Sequence, residues 1–308
     1  MTGNYITAIQ RAVDSISSGQ RVSVLASGSI GASTITIGAG KTFEGCGTIN
    51  AAIRNGRGAI EVTDVANVRI PYLTMTGSVY FGMRFSGTTG LTLGDIVFDL
   101  TAGMGIRFDR DRAGSKNVKM GNIRCSRASS HCVETFNIDG LEIGSVVARN
   151  TGECGLLLQT VTNVHVGLVD GDQVAAGNGY ATLRFANRAG RVGNNYPTNI
   201  KIDRVKSRGG GRGIFCVSES GGVEIGSIDL VNNGNNAILL ENCYNVNIKS
   251  GTVNGGGEVR LAARSEFANS RDIAITAKVD GTTVRESPCT ANKTKWNLSG
   301  NGKRTICT

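Results

Sequence analysis

Apolar residues recur two positions apart in short segments along most of the chain, and a second segment of the same kind follows each one. We call such a pair a coil, and its two segments the first strand and the second strand. Alternation with a period of two predicts strands that bury one face. Nine coils align, and their first strands begin at Ile60, Met83, Ile106, Val133, Leu156, Leu183, Ile214, Ile238 and Val259.

Each second strand follows an Asn, Gly or Asp, and these residue types tolerate left-handed backbone geometry. The residues at this position are Asn67, Gly90, Asn117, Gly140, Asn163, Asn199, Gly222, Asn245 and Asp272. The repeat of 21 to 31 residues is typical of a solenoid. Because the segments between strands are too short for crossover helices, the strands are predicted to be parallel and to stack directly on each other.

The predicted fold class is therefore all-β, a single-stranded parallel β-helix over residues 21–280. Upstream, Ile6, Ile9, Val13 and Ile16 have helical spacing. Residues 1–20 are predicted to form a short N-terminal helix that caps the open end of the solenoid.

Residues 281–308 are predicted to form a C-terminal tail closed by a disulfide bond between Cys289 and Cys307. Two glycosylation sequons, at Asn292 and Asn297, lie between these cysteines. Together these features predict a secreted, extracellular glycoprotein in an oxidising environment. A cytosolic protein with chance sequons is the alternative. Cys216 faces inward and is expected to be free or paired with a neighbouring coil.

The composition limits the class of partner. The formal net charge is +9 and the sequence pI is about 9.3, which favours an acidic partner such as a polysaccharide, a nucleic acid or an anionic surface. No run of 18 apolar residues occurs, so no membrane span is expected. Acidic residues interrupt the positive charge and argue against a nucleic-acid partner. We expect a monomer.

Three features are similar to a known family. They are the helix around residues 8–10, the stretch 41–45, and the repeated Asn-Val-x-Ile coils of residues 67–275. The chain resembles the right-handed parallel β-helix proteins of the pectate lyase and pectin lyase superfamily. That resemblance implies a right-handed β-helix and an activity on polysaccharides, by elimination or by hydrolysis. The catalytic motifs of polygalacturonases and pectate lyases are missing, so no catalytic residue can be transferred.

The spacing between strands places a candidate groove. The step from first to second strand is 8 residues in five coils but lengthens at three points, which creates insertions at residues 109–116, 186–198 and 262–271. We expect the first two insertions to flank the strands of Val133 and Leu156, because loops on a rigid scaffold commonly carry sites. Leu157, Phe136 and Phe215 are expected to be exposed platforms on which sugar rings stack.

Outward positions of neighbouring strands, about 4.8 Å apart, supply the candidate chemistry. The predicted catalytic residues are Asp109, His131, Glu134 and Arg184. The predicted substrate-binding residues are Arg107, Gln159, Tyr180, Arg188, Arg212, Glu219, Glu241 and Arg260. The alternative is a ladder of ion pairs that stabilises the surface and has no catalytic role.

Two mechanisms fit these residues. In an acidic, uronic-acid-containing polysaccharide, arginines would neutralise the carboxylate while a base removes the adjacent proton, and the linked sugar would leave by β-elimination. A lyase of this kind is the preferred function. In a glycoside hydrolase, two carboxylates would serve as acid and base or nucleophile. A non-catalytic carbohydrate-binding solenoid is the third alternative.

No metal site is predicted from the cysteine or histidine spacing. Calcium is the one cofactor considered, because Asp170 and Asp172 flank a glycine. Two carboxylates are too few for a full oxygen cage, so an ordinary turn is the favoured interpretation.

Overall fold

The computed structural model describes residues 2–177 and 179–307. It is an all-β solenoid of about 12 turns in which 61% of residues lie in strands, consistent with a right-handed β-helix. Helix α1 spans Thr2–Ser15. The strands are β1 (Arg21–Val24), β2 (Gly28–Gly31), β3 (Ile35–Thr36), β4 (Thr42–Ala51), β5 (Gly58–Thr63), β6 (Arg69–Ser86), β7 (Thr92–Phe108), β8 (Ser115–Ser126), β9 (Val133–Thr135), β10 (Ile138–Arg149), β11 (Leu156–Leu158), β12 (Val161–Asp172), β13 (Ala181–Phe185), β14 (Ile200–Arg208), β15 (Arg212–Val231), β16 (Asn236–Ile248), β17 (Gly251–Asn254), β18 (Glu258–Ala262), β19 (Arg271–Asp280), β20 (Thr283–Glu286), β21 (Lys295–Ser299) and β22 (Lys303–Thr305).

The first strands pair in parallel with the register that the repeat predicts. Val133 is opposite Leu156, which is opposite Leu183 on its other side. Along the whole stack the inward side chains are almost fully buried, as at Ile60 and Leu158. The interior is therefore a column of aliphatic and aromatic side chains that each coil shares with its two neighbours.

The second strands stack in the same way, and the turn residues ahead of them adopt the predicted geometry. Eight of the nine have a positive φ, as at Asn67 (58°) and Gly140 (81°). Asn199, which follows the longest insertion, is the exception. These turns bring successive coils into the same register without a helix between them.

A third stack of strands continues from each second strand and was not separated in the sequence analysis. Ile96, Ile123 and Val146 pair across β7, β8 and β10 and are fully buried. The corner between second and third strands is tight. A Cβ on Gly144 would lie 2.8 Å from the carbonyl oxygen of Gly121 in the coil below, so only glycine fits this approach.

The two ends of the solenoid differ. Ile9 and Val13 of α1 are buried against the first coils, and Lys41 donates a hydrogen bond from Nζ to the carbonyl of Val13 at 2.8 Å. This confirms the N-terminal cap. At the other end, β20 pairs with β18 and β21 pairs with β19. The strand ladder thus continues past residue 280, where the sequence analysis placed the boundary of the tail.

Two disulfide bonds are present. Cys289 and Cys307 are bonded, as predicted, and Cys216 pairs with Cys243 on the next coil. Such bonds form and persist in a non-reducing environment. Within the described residues, no helix has both the length and the apolar character needed to cross a membrane.

Candidate functional site

A groove of about 570 Å³ runs along the corner that leads into the first strands, and we call it the corner groove. It reaches from the coil of Ile60 to the coil of Leu183. The residues just before the strands of Ile106 and Val133 are small, so the floor of the groove is lower there. Its lining residues are Ile53, Asn55, Val79, Tyr80, Phe81, Ala102, Gly103, Met104, Arg107, Ser129, Ser130, His131, Glu134, Glu153 and Tyr180.

The insertions do not line this groove. They flank the coils of Val133 and Leu156 as predicted, since Asn137 donates to the carbonyl of Arg110 and Asn187 donates to that of Val161. Residues 109–116 and 186–198 follow the first strands in the chain, whereas most residues that line the corner groove precede the first strands. The second insertion packs instead against residues 262–271, where Arg271 donates from Nη2 to the carbonyl of Asn194. These loops brace the opposite edge of the sheet.

Asp109 belongs to an ion-pair ladder. Its carboxylate lies 2.9 Å from Arg84 Nε, 3.5 Å from Arg107 Nε and 3.4 Å from Arg112 Nε. It is 7% exposed and does not line the corner groove. The three arginines hold Asp109 in place, so its predicted catalytic role is not supported by its position.

His131 lies in the corner groove with both ring nitrogens engaged. The backbone N–H of Cys154 donates to Nδ1 at 3.0 Å, so the proton of the neutral ring is on Nε2. Nε2 lies 3.1 Å from Glu153 Oε2 and 3.8 Å from Glu134 Oε1. Burial lowers the pKa of His131, although the two carboxylates oppose that shift. His131 Nε2 therefore lies within hydrogen-bond distance of Glu153, and Glu134 lies just beyond that distance on the same nitrogen.

Glu134 is one of these two carboxylates. It is 4% exposed, and Arg107 Nη1 contacts its Oε2 directly. The guanidinium of Arg107 also lies over the rings of Phe81 and Phe136, at 5.7 and 5.2 Å from the ring centres. A buried carboxylate needs such a partner, and Arg107 compensates the charge of Glu134 while leaving it in the groove wall.

Glu153 is the second carboxylate, and the sequence analysis missed it. It lies one coil from Ser130, whose hydroxyl donates to Glu153 Oε2. A hydrogen bond to Glu153 is the main cause that raises the pKa of Tyr180, and burial adds to it. The side chain of Glu153 is 27% exposed, so it is the more accessible acid.

The signal for Glu153 was present in the repeat. Ser130, Glu153 and Tyr180 each stand three positions before a first strand, at Val133, Leu156 and Leu183. Aligned coils place such residues in one column. Only the intervening and following positions of the strands were aligned, so the column before them was overlooked.

Arg184 and Arg212 lie on adjacent coils beyond Tyr180. Their guanidinium groups flank the ring of Phe215 at 5.4 and 4.7 Å, and Arg184 also lies 5.9 Å from the Tyr180 ring. Within residues 2–177 and 179–307, neither forms an ion pair. Arg184 Nε and Arg212 Nη1 are buried without hydrogen-bond partners. Burial lowers the pKa of Arg212. The charge of Glu241 opposes this shift, and the smaller effect of Arg184 adds to it.

The remaining predicted binding residues lie outside the corner groove. Each of the charged ones is paired, and Gln159 does not line the groove. The pairs are Arg188 with Glu219, Arg264 with Glu241, and Arg260 with Glu258.

The predicted apolar platforms are also covered. Phe136, Leu157 and Phe215 are at most 6% exposed. The guanidinium of Arg107 lies over the ring of Phe136, and those of Arg184 and Arg212 lie over Phe215. Long arginine side chains commonly lie flat on aromatic rings. The expectation that these side chains are exposed was therefore wrong.

A second groove, of about 560 Å³, runs along the outer face of the second strands. Lys119, Glu142, His165 and Lys201 line it. These charges are mostly exposed, and Lys119 pairs with Glu142 at 3.3 Å, as expected for a solvated face. Among the described residues that line it, no two acidic side chains approach one proton, so the corner groove is the better candidate for chemistry.

The calcium candidate has a different role. Asp170 is paired with Arg149, with Nη2 and Oδ2 3.1 Å apart. In the described part of the chain, no cluster of three or more His, Cys, Asp or Glu side chains could hold a metal ion.

The chain has no significant match to a protein-family model, to a curated protein or to a solved structure. The assignment of a function therefore depends on the geometry of the corner groove.

Proposed function

We propose that the protein is an extracellular enzyme that cleaves a glycosidic bond of an acidic polysaccharide in the corner groove. The observation that carries this proposal is the convergence of Glu134 and Glu153 on His131 Nε2. Paired carboxylates on either side of a sugar are the usual machinery of glycosidic hydrolysis. A groove open along the solenoid axis also suits a polymer better than a small molecule.

The roles of the two carboxylates follow from their surroundings. Glu134 has its charge compensated by Arg107, so we assign it the activation of water or the direct attack on the anomeric carbon. Glu153 is more accessible and contacts three proton-bearing groups, those of Ser130, His131 and Tyr180. We assign it, in its protonated form, the transfer of a proton to the leaving oxygen. The proton of the attacking water passes through Glu134 to solvent, and Glu153, which is partly exposed, regains its proton from solvent. The bond to that oxygen then breaks as the new bond to the anomeric carbon forms.

The separation of the carboxylates bears on the stereochemistry. Since both carboxylates lie near the same nitrogen, their nearest oxygens are no more than about 7 Å apart. Retaining enzymes have a separation of about 5 Å and inverting enzymes one of about 6.5 Å or more, and both values are compatible with this limit. Nuclear magnetic resonance of the first-formed product distinguishes these outcomes.

Hydrolysis fits the geometry of the corner groove better than β-elimination does, although the sequence alone favours β-elimination. Elimination needs a side chain that is free to remove a proton. Both nitrogens of His131 are engaged, and the raised pKa of Tyr180 makes its phenol a poor base. Elimination remains the second candidate because Arg184, unpaired beside Tyr180, could neutralise the carboxylate of a uronate.

The preference for an acidic substrate is supported by Arg184 and Arg212. Two like charges placed together cost free energy, which Glu241 offsets in part for Arg212, and a carboxylate or sulfate of the substrate would offset the rest. Other arginines of the same face, including Arg84, Arg107 and Arg260, already have carboxylate partners.

The direct test is incubation with a panel of acidic and neutral polysaccharides. New reducing ends without the ultraviolet absorbance of unsaturated uronates would support hydrolysis, whereas that absorbance would establish elimination. Binding without product would assign a carbohydrate-binding solenoid. Secretion, glycosylation at Asn292 and Asn297, and a relation to the pectate lyase and pectin lyase superfamily are part of the same proposal. Mass mapping of the natural protein tests the glycosylation.

A further inference from the structure

The corner groove is asymmetric about its carboxylates. The coils from Ser130 to Tyr180 line it with polar and titratable groups. The three preceding coils line it mainly with apolar groups, among them Ile53, Tyr80 and Met104. Most of the groove therefore extends from the carboxylates toward the N-terminal end of the solenoid.

Tyr80 and Ile53 are exposed, whereas nearly all other large apolar side chains of the described residues are buried. Tyr80 is 44% exposed and Ile53 is 46% exposed. Phe81, next to Tyr80, is covered, because the guanidinium groups of Arg84 and Arg107 each lie 5.7 Å from its ring centre. Tyr80 contacts Phe81 edge to face, with ring centres 4.6 Å apart, so the Tyr80 ring is held in place. Exposed apolar groups inside a groove commonly mark a binding surface.

A step in the floor separates this platform from the carboxylates. Gly103 occupies the position between Tyr80 and Ser130 in the same column. A Cβ there would lie 1.7 Å from the carbonyl oxygen of Val79. The floor is therefore low between the Tyr80 ring and the hydroxyl of Ser130, which leaves room for the body of a ligand that spans both.

The distance from the platform to the carboxylates can be counted in coils. The steps run from Tyr80 to Gly103, from Gly103 to Ser130, and from Ser130 to Glu153. The backbone N–H of Ser130 donates to Gly103, and that of Glu153 donates to Ser130. Three strand spacings amount to about 14 Å along the solenoid axis. An extended glycan advances by roughly one strand spacing per sugar residue.

We propose that Tyr80 and Ile53 form a distal sugar-binding subsite, on which the apolar face of a pyranose ring stacks about three residues from the cleaved bond. The inference rests on the proposed function, because the occupant is the polysaccharide that reaches Glu134 and Glu153. Tyrosine suits such a subsite, since its ring accepts C–H groups while its hydroxyl stays in water. The enzyme then gains binding energy from chain length on one side of the cleavage point.

The test is kinetic and uses Tyr80→Ala and Tyr80→Phe. Tyr72→Ala is the matched control, because Tyr72 is 53% exposed but lies outside the corner groove. The substrates are galacturonate oligosaccharides from dimer to hexamer, and xylan-derived and hyaluronan-derived oligosaccharides of the same lengths. For the hexamer, Tyr80→Ala should raise KM about five- to tenfold at unchanged kcat. It should leave the cleavage of the shortest cleaved oligosaccharide unaltered, and Tyr80→Phe should behave like the wild type.

Two results would overturn the subsite. One is an equal loss of activity on short and long substrates. The other is an effect of Tyr72→Ala as large as that of Tyr80→Ala. Migration in native gels that contain polygalacturonate, xylan or hyaluronan separates this inference from the proposed function. Retardation that depends on Tyr80 supports the subsite even without cleavage, and wild-type protein that is not retarded in any of the gels refutes it.

Discussion

Replacing Glu153 with Gln removes one of the two carboxylates and leaves the shape of the corner groove unchanged. Gln retains an oxygen that can accept from His131 Nε2 and from the Ser130 hydroxyl. Because Glu153 is partly exposed and its neutral replacement keeps these bonds, the loss in the free energy of unfolding should be about 1 kcal/mol. For a chain of this length that corresponds to a decrease in Tm of roughly 2 °C.

The effect on catalysis should be far larger. A side chain that transfers a proton in the transition state contributes about a hundred- to ten-thousandfold to the rate. We therefore expect Glu153→Gln to lower kcat by at least a hundredfold with little change in KM. The assay is the initial rate of reducing-end release, measured beside a thermal melt of the same preparation.

Glu142→Gln is the control for this substitution. Glu142 is an exposed carboxylate of the second groove and pairs with Lys119, so its loss should leave both rate and Tm nearly unchanged. If Glu153→Gln is folded and retains most of its activity, the assignment of the proton donor is wrong. If Glu142→Gln is the inactive variant, the reaction takes place in the second groove.

Further predictions concern charge, protonation and covalent closure. Arg184→Ala and Arg212→Ala should each weaken binding of an acidic polysaccharide by about ten- to hundredfold and reduce the salt dependence of binding. Arg260→Ala removes an arginine that is already paired with Glu258, so it should leave binding unchanged. Equal losses of affinity for the three variants in titration calorimetry would refute the anion site. Because burial lowers the pKa of His131 in the folded state, the unfolded chain takes up a proton first as the pH falls below about 6.5, and stability should decrease there. Melts across this pH range should show a shallower decrease for His131→Gln than for the unsubstituted protein, and identical slopes for the two proteins would contradict the shift. Cys289→Ser should lower the free energy of unfolding by about 3 kcal/mol, because it opens the loop that the bond to Cys307 closes. Cys46→Ser removes a free and exposed thiol and should change the free energy of unfolding by less than about 0.5 kcal/mol. A denaturant titration that finds the two variants equally stable would refute the stabilising role of the bond.

The repeat predicted most of the fold. The alternation of apolar residues fixed which side chains face inward, and the turn residues set the register between coils, as Asn67 and Gly140 show. The third stack of strands was missed because its corners are marked by single glycines such as Gly121 and Gly144. These glycines are needed for a close approach between coils, which no local pattern reveals.

The candidate site was predicted only in part. Counting coils predicted that Arg107 and Glu134 are neighbours, and they line the corner groove with His131 and Tyr180, which were chosen singly and not by alignment. Asp109 was not separated from them, because a sequence does not show that three arginines surround its carboxylate. The insertions lie between the first and second strands, where the spacing placed them, but the corner groove lies at the opposite end of the first strands, and the length of an insertion does not reveal that.

A crystal structure of Glu153→Gln with a bound hexasaccharide of the cleaved polymer would test the central claim most directly. The account predicts a glycan along the corner groove, with its scissile bond between Glu134 and residue 153 and a sugar ring on Tyr80. A glycan bound instead over Lys119 and Lys201 on the second strands would contradict it.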